Sequence, residues 1–371
     1  MKTILPLFKK SPPQKILLIT LRYLGDTLLT TPLLNALRAA YPDAQIDVLL
    51  YDNTKAMLAG NPAVSNLIAV SAKPRRAEYI QLLKRIFRQY DLAITTQTSD
   101  KVAAYAMLAA PVRIGFVPPK PQTGWFKRYI FSRFLETESE KTHTVLELLQ
   151  LCQLLPILPA YDLTPPRVED GSFSVSDVVD SARYAVLHVM PQWRYKQWTR
   201  EGWIAVAHYL HVQGVQVILS GGPVAAEVDY LNALLADMPE GTVNLAGRLS
   251  LAQLAQVISG AQVFVGVDTG TTHLAAATQV PTVALFGPTD PVKWTPWPAQ
   301  YQKSQSPFVT HGSQQVNNVY LIQGQKDCVP CYLEGCLRNR QSHSECLDTM
   351  NSQQVIDVIS SILKKNAERG E

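Results

Sequence analysis

Along the first half of the chain, short apolar runs alternate with segments whose apolar residues recur at helical spacing. The runs at 15–21, 46–51, 66–70, 91–96 and 112–116 predict strands, rich in Ile, Leu and Val, as in strands buried on both faces. Helical patterns lie at 27–40, 54–59, 77–89 and 100–110, with another at 143–155. Such alternation predicts βαβ units and a mostly parallel sheet. The stretch from Asp162 to Ser176, with Pro165, Pro166 and Gly171, interrupts the pattern and predicts a linker. The scheme then restarts. Strands are predicted at 184–189, 215–219, 242–245, 262–267 and 281–286, and helices at 200–213, 224–236, 250–259 and 271–278. The fold class is therefore α/β, with two Rossmann-like doubly wound domains over 1–170 and 177–351. A last segment, 352–371, carries an amphipathic helix whose apolar positions are Val355, Ile356, Val358, Ile359 and Ile362.

Two strand-to-helix turns carry the candidate chemistry. The run Val263-Phe264-Val265 leads into Gly266-Val267-Asp268-Thr269-Gly270-Thr271-Thr272-His273 and then Leu274-Ala275-Ala276-Ala277. The first N–H groups of such a helix lack internal partners and its dipole adds positive charge, so the turn suits a phosphate. A carboxylate, hydroxyls and an imidazole crowd the same turn; a capped helix with a satisfied core histidine is the alternative. The second turn, Arg22-Tyr23-Leu24-Gly25-Asp26, follows the strand Lys15 to Leu21 and precedes a helix with Pro32 near its start. Its carboxylate would repel a phosphate and fits a base facing a substrate hydroxyl, or else a helix cap. No G-x-G-x-x-G follows either opening strand, which argues against a dinucleotide-binding dehydrogenase.

Together these turns resemble glycosyltransferase family 9, the ADP-heptose:lipopolysaccharide heptosyltransferases. The matching pieces are Leu24 to Pro32, Lys196-Gln197-Trp198, Gly266 to His273, Phe286-Gly287-Pro288-Thr289-Asp290-Pro291 and Trp294-Thr295-Pro296-Trp297. The resemblance runs from about residue 14 to 360 and is greatest to the heptosyltransferase III branch, through Arg22 to Asp26 and Tyr41-Pro42-Asp43-Ala44. It implies the GT-B arrangement of two facing Rossmann-like domains, with 352–371 returning to the first domain. It also implies an inverting transfer from ADP-heptose to the inner core of lipopolysaccharide, with no cofactor, no catalytic metal and no nucleic acid. Alternatives are a family-9 transferase using another sugar or acceptor, including protein, or a catalytically silent nucleotide- or lipid-binding homologue. By resemblance Asp26 is the base and Lys196 the diphosphate-binding lysine, with Asp268 on donor-sugar hydroxyls and His273 beside it. Thr269, Gly270, Thr271 and Thr272 share the diphosphate. A surface lysine is the alternative for Lys196. Gly221 and Gly222 end a strand where backbone can approach a nucleotide, and Glu227 is placed to reach a ribose hydroxyl or to be an ordinary helix-surface residue. In the turn before the lysine, Met190-Pro191-Gln192-Trp193-Arg194 departs from the hydroxyl and Arg residues of many members, with Arg194 the available substitute. Trp294 and Trp297 line the cleft or fill the core.

Charge sharpens this picture. Residues 1–150 carry 20 Lys/Arg against 11 Asp/Glu, while 151–371 carry 14 against 19, so the first half is the one suited to an anionic partner. Two basic patches stand out: Lys73, Arg75, Arg76, Lys84, Arg85 and Arg88; and Lys120, Lys127, Arg128 and Arg133 among Trp125, Phe126, Tyr129 and Phe131. Basic-aromatic mixtures of this kind meet nucleic acid or membrane headgroups, and solvated faces are the alternative. Arg22, Arg75, Arg76, Lys127 and Arg128 are the acceptor-binding candidates. No apolar run reaches the length of a membrane span, and Ile4-Leu5-Pro6-Leu7-Phe8 is too short and Pro-broken for a signal-peptide core. A cytoplasmic protein, peripheral on the inner membrane, is the expectation. Cys328, Cys331, Cys336 and Cys346 have spacing compatible with a structural zinc or with reduced, partly buried thiols; Cys152 stands apart.

Overall fold

The computed structural model describes residues 11–120, 123–137, 142–168 and 171–370. The Ile4 to Phe8 stretch and the ends of the 1–170 and 352–371 segments lie outside them. The chain divides into two units, Met1–Thr164 and Pro165–Glu371, with the break inside the proline-containing stretch predicted as a linker.

Unit 1 runs β1 (Lys15–Thr20), α1 (Leu24–Leu28), α2 (Thr31–Ala40), β2 (Gln45–Tyr51), β3 (Asn66–Val70), α3 (Arg76–Ile86), β4 (Leu92–Thr95), α4 (Asp100–Ala109), β5 (Val112–Val117), α5 (Lys127–Ile130), β6 (Arg133–Glu136) and α6 (Thr144–Leu149). Its six strands are all parallel, in the order β3-β2-β1-β4-β5-β6. That is the doubly wound Rossmann order, whose ligands gather at the carboxyl ends of the strands. In β1, Leu17 and Ile19 enter one core while Ile16 and Leu18, on the other pleat, are equally buried, which is why the run has no polar alternation. The single helix predicted at 27–40 is two. Pro32 sits in the first turn of α2 and cannot donate to the carbonyl four residues back. The Thr31 hydroxyl donates to the Leu28 carbonyl instead, at 2.8 Å.

Unit 2 runs β7 (Tyr184–His188), α7 (Arg200–Val212), β8 (Gln216–Ser220), α8 (Ala225–Leu235), β9 (Val243–Asn244), α9 (Leu251–Ser259), β10 (Val263–Val267), α10 (Gly270–Ala277), β11 (Thr282–Phe286), α11 (Pro291–Trp294), β12 (Gln314–Val316), β13 (Val319–Gln323), α12 (Glu345–Asp348) and α13 (Ser352–Arg369). The sheet order is β12-β13-β11-β10-β7-β8-β9, parallel throughout except for the β12–β13 hairpin at one edge. The strand order again reverses beside the unit's first strand, between β7 and β10.

The terminal helix α13 packs its apolar face within unit 2. Val355, Ile359 and Ile362, one face at helical spacing, are buried in the same core as Leu187, Val265 and Leu285. The Asn366 amide adds a hydrogen bond to the Gln262 carbonyl at 3.1 Å. That stripe is satisfied locally, within the core of unit 2.

Candidate active site

In unit 1, β1 delivers the chain into a tight turn and the short helix α1. Tyr23 is its N-cap residue, without a side-chain capping bond, and Asp26 lies in its first turn, so capping does not explain the aspartate. Asp26 is buried, and the Arg22 guanidinium stands 3.0 Å from its Oδ1. Even so, Oδ1 receives no geometrically sound hydrogen bond. A buried carboxylate oxygen with an open lone pair is what a proton acceptor needs.

In unit 2, β10 ends in the Asp268-Thr269 turn and α10 begins at once. Thr269 is the N-cap, and its hydroxyl accepts the Thr272 N–H at 3.3 Å. Its carbonyl accepts from His273 N–H at 3.3 Å. Thr272 is fully buried and its hydroxyl donates to the Val267 carbonyl. A Cβ at Gly266 would lie 2.8 Å from that hydroxyl oxygen, so the close turn requires glycine there. The Thr269 and Thr272 hydroxyls are therefore spent on building the turn. The N–H groups of Gly270 and Thr271 are those without an intrahelical acceptor, and they stand at the positive end of α10, a setting that suits an anion.

Lys196 closes this site from a neighbouring loop. Its Nζ lies 2.6 Å from Asp268 Oδ2, with Asp268 buried and about a fifth of the lysine side chain exposed. Burial by itself pushes the Asp268 carboxyl up. The Lys196 ammonium, its hydrogen bond, a hydrogen bond from Thr289 and the nearby His273 outweigh that and hold it below the usual carboxylate range. The lysine loop is itself braced. Trp198 is buried, donates its indole N–H to the Met350 carbonyl at 3.1 Å and meets Trp203 edge-to-face at 5.1 Å. A Cβ at Gly202 would stand 2.4 Å from the Trp198 ring. On the other side the Ser344 hydroxyl donates to the Tyr195 carbonyl at 2.7 Å, and the Arg340 guanidinium covers Trp193 at 4.4 Å.

The neighbouring strand end adds two features. The Gly222 N–H donates to Glu227 Oε1 at 2.8 Å. A Cβ at Gly221 would meet Leu231 at 2.6 Å, so packing within the unit already accounts for that glycine. Burial raises the Glu227 carboxyl, partly offset by the Gly222 bond. His188, at the end of β7, pairs in register with Ser220 and Gly266 and shares a 3.1 Å hydrogen bond between its Nδ1 and the Ser220 hydroxyl. Burial pushes this imidazole down to about 4, so it is neutral at physiological pH.

A family model for glycosyltransferase family 9 (heptosyltransferase) matches residues 79–320, more than half of the chain. The chain belongs to glycosyltransferase family 9. It is 31% identical over 290 residues to lipopolysaccharide heptosyltransferase 3 of Escherichia coli K12, covering 75% of this chain and 83% of that one. It is also 31% identical over 294 residues to lipopolysaccharide heptosyltransferase 1 of Pseudomonas aeruginosa, covering 75% and 79%. Its fold is shared by E. coli ADP-heptose heptosyltransferase II at TM-score 0.72 and 22% identity, over 95% of this chain and 99% of that one. The family 9 glycosyltransferase of Veillonella parvula superposes at TM-score 0.75 and 19% identity, over 95% and 97%. The chain is accordingly a glycosyltransferase with the GT-B class of fold, and Lys196, Asp268 and the start of α10 fall inside the matched family region.

The remaining candidate residues have the following surroundings. Lys127 is buried, with its ammonium 2.6 Å from Asp100 and bonded to the Thr98 carbonyl, so it braces unit 1. Arg128 pairs with Glu136 at 2.8 Å and reaches the Pro118 carbonyl. Arg75 and Arg76 are exposed at the start of α3, and Arg22 is half-buried beside Asp26. Among the described residues no group of three or more His, Cys, Asp or Glu is placed to hold an ion, and the thiols are free. Cys346 is pulled into the core, where a Cβ at Gly287 would meet its sulfur at 3.0 Å, while Cys328 and Cys336 stay exposed. Burial, then the neighbouring thiols, push Cys346 up to about 12, which keeps it a protonated thiol. Trp297 is a core residue and Trp294 packs against the core. Among the described residues no helix is long and apolar enough to cross a membrane. Thr289, His188 and Ser220 were not singled out from sequence. The signal for Thr289 was its place in the Phe286 to Pro291 turn, at the end of the strand paired with β10.

Proposed function

We propose that the chain transfers heptose from ADP-heptose to the inner core of lipopolysaccharide, with inversion and without a catalytic metal. The observation that carries this is the Lys196–Asp268 pair at the N-terminus of α10, on a chain about 30% identical to lipopolysaccharide heptosyltransferases. In the free protein Asp268 holds the ammonium. When the donor binds, its diphosphate takes over the ammonium and the N–H groups of Gly270 and Thr271. Asp268 is then released to accept hydrogen bonds from heptose hydroxyls, with Thr289 and His273 fixing its orientation. Gly221, Gly222 and Glu227 stand at the β8 end, where the adenosine would lie.

The acceptor hydroxyl gives its proton to Asp26 as its oxygen bonds to the anomeric carbon from the face opposite the leaving group. The bond from that carbon to the diphosphate oxygen breaks, and its electron pair leaves with ADP. Lys196 and the α10 dipole stabilise that charge, the kind of preorganised electrostatics that dominates many rate enhancements. Among the acceptor candidates, Arg22, Arg75 and Arg76 meet acceptor phosphates, and the reaction belongs on the cytoplasmic face of the inner membrane, where a soluble donor meets a lipid-anchored acceptor. The test is incubation with ADP-heptose and a series of truncated lipopolysaccharides, followed by mass spectrometry. One added heptose on an inner-core acceptor is expected. Transfer from another nucleotide sugar, with none from ADP-heptose, would contradict the donor assignment.

A further inference from the structure

The helix α3 has two unlike faces. Leu82 and Ile86 point into the unit 1 core, and Tyr79 packs its ring 6.3 Å from Tyr105 at the margin. Turned away from these, Arg76, Ile80, Lys84 and Phe87 follow one another at steps of four, four and three residues. They therefore stand in one row along the helix. All four are exposed, including the apolar Ile80 at 43% and Phe87 at 50%. The Arg88 guanidinium lies over the Phe87 ring at 5.4 Å, so a cation flanks the apolar tip. From Lys73 to Arg88 there are six basic residues and one acidic residue, Glu78, whose carboxylate is engaged by the Arg75 N–H at 2.9 Å.

A solvated helix face needs no Ile or Phe, and a core-packing face would not set them among cations. An apolar row ringed by Lys and Arg is the composition of a helix lying in a membrane interface, with apolar side chains among the acyl boundary and cations at the headgroups. The charge selects the partner: six cations against one engaged carboxylate complement an anionic surface, while two exposed aliphatic and aromatic side chains gain nothing from a phosphodiester backbone alone. We infer that the outward face of α3, built on Ile80 and Phe87 and ringed by Lys73, Arg76, Lys84 and Arg88, docks on an anionic lipid bilayer. This deepens the proposed reaction by giving unit 1 a means of reaching a lipid-anchored acceptor, and rests on that reading only for its purpose.

The test is co-sedimentation of the full chain with vesicles of phosphatidylglycerol and phosphatidylcholine, against vesicles of phosphatidylcholine alone. Binding to the anionic vesicles and little to the neutral ones is expected. Replacing Ile80→Ser and Phe87→Ser together should lower partitioning about tenfold, since both side chains lose an apolar surface to bury. Replacing Lys73→Gln, Lys84→Gln and Arg88→Gln should lower it on the order of a hundredfold, at about fivefold per cation near an anionic surface. All these positions are exposed, and an unchanged circular-dichroism spectrum with an unchanged thermal unfolding midpoint verifies that each variant is folded. Wild-type protein that ignores anionic vesicles overturns the inference, as does vesicle binding that survives Ile80→Ser/Phe87→Ser. Equal binding to single-stranded RNA, indifferent to those two substitutions, also overturns it in favour of a simple polyanion site. Turnover on a deacylated, water-soluble acceptor separates the two proposals: the Ile80→Ser/Phe87→Ser variant should keep it, whereas a failed transferase reading would abolish it in wild type as well.

Discussion

Removing the Lys196 ammonium should reverse the way stability depends on pH. In the wild type Asp268 is buried, and its carboxyl lies below the usual range because Lys196, 2.6 Å away, overcomes the cost of burial. A depressed carboxyl contributes stability that is present above its unfolded value and is lost as pH falls through the folded one. In Lys196→Met the burial cost stands without its main opponent, so the carboxyl rises above its unfolded value. Its contribution then becomes a penalty that grows as pH rises above the unfolded carboxylate range. Breaking a buried pair from one side costs roughly 3–5 kcal/mol. The lysine side chain keeps about a fifth of its surface in water, so the low end, about 3 kcal/mol near neutral pH, is the appropriate figure. Urea unfolding of wild type, Lys196→Met, Asp268→Asn and the double variant, near neutral and mildly acidic pH, measures this. The double variant should recover most of what Lys196→Met loses, because no unpaired charge remains, while turnover stays low in all three. A loss below about 1 kcal/mol, the scale of an exposed pair, would refute the reasoning, as would a double variant no more stable than Lys196→Met.

Three further outcomes are expected. Asp26→Asn should keep ADP affinity and lose turnover by about 10²–10⁴-fold, the range for a general base, as read from steady-state rates beside calorimetric ADP titration. His188 is held neutral by burial with its value lowered to about 4, so the unfolded chain binds a proton between its own value and that one, and stability falls as pH falls. Between about pH 7.5 and about pH 5 this amounts to about 2 kcal/mol, which should vanish from the pH dependence of unfolding in His188→Gln. Gly202→Ala should cost about 1–3 kcal/mol by pressing on the Trp198 ring and should lower turnover by shifting the Lys196 loop; thermal unfolding and rate, measured together, check both.

The parallel strands and the helices that cover them were legible because burial on both faces leaves an unbroken apolar signature, and most predicted elements match the observed ones to within a few residues. The edges were not. In β6, Arg133-Phe134-Leu135-Glu136 lies at a sheet margin where half the positions are polar. In β13, an apolar run follows a long irregular segment and pairs through a hairpin that the βαβ pattern gives no reason to expect. For the site, motifs located Lys196, Asp268 and the α10 turn, because strand, turn and helix are local. Partners distant in sequence were invisible. Lys127 reads as a surface cation until Asp100, 27 positions earlier, is seen beside it, and Thr289 reads as a turn residue until its bond to Asp268 is known. The terminal helix shows the same limit: its apolar stripe was evident, but the stripe alone does not say which core receives it.

Hydrogen exchange with and without ADP tests the donor assignment most directly. If the diphosphate lies against Lys196 and the start of α10, with the nucleoside at the end of β8, ADP should slow exchange at 193–197, 220–223 and 266–273. It should leave the amides of α1 around Asp26 nearly unchanged. Protection confined to α1 and the rest of unit 1, with none at 266–273, would contradict the assignment of the donor to unit 2.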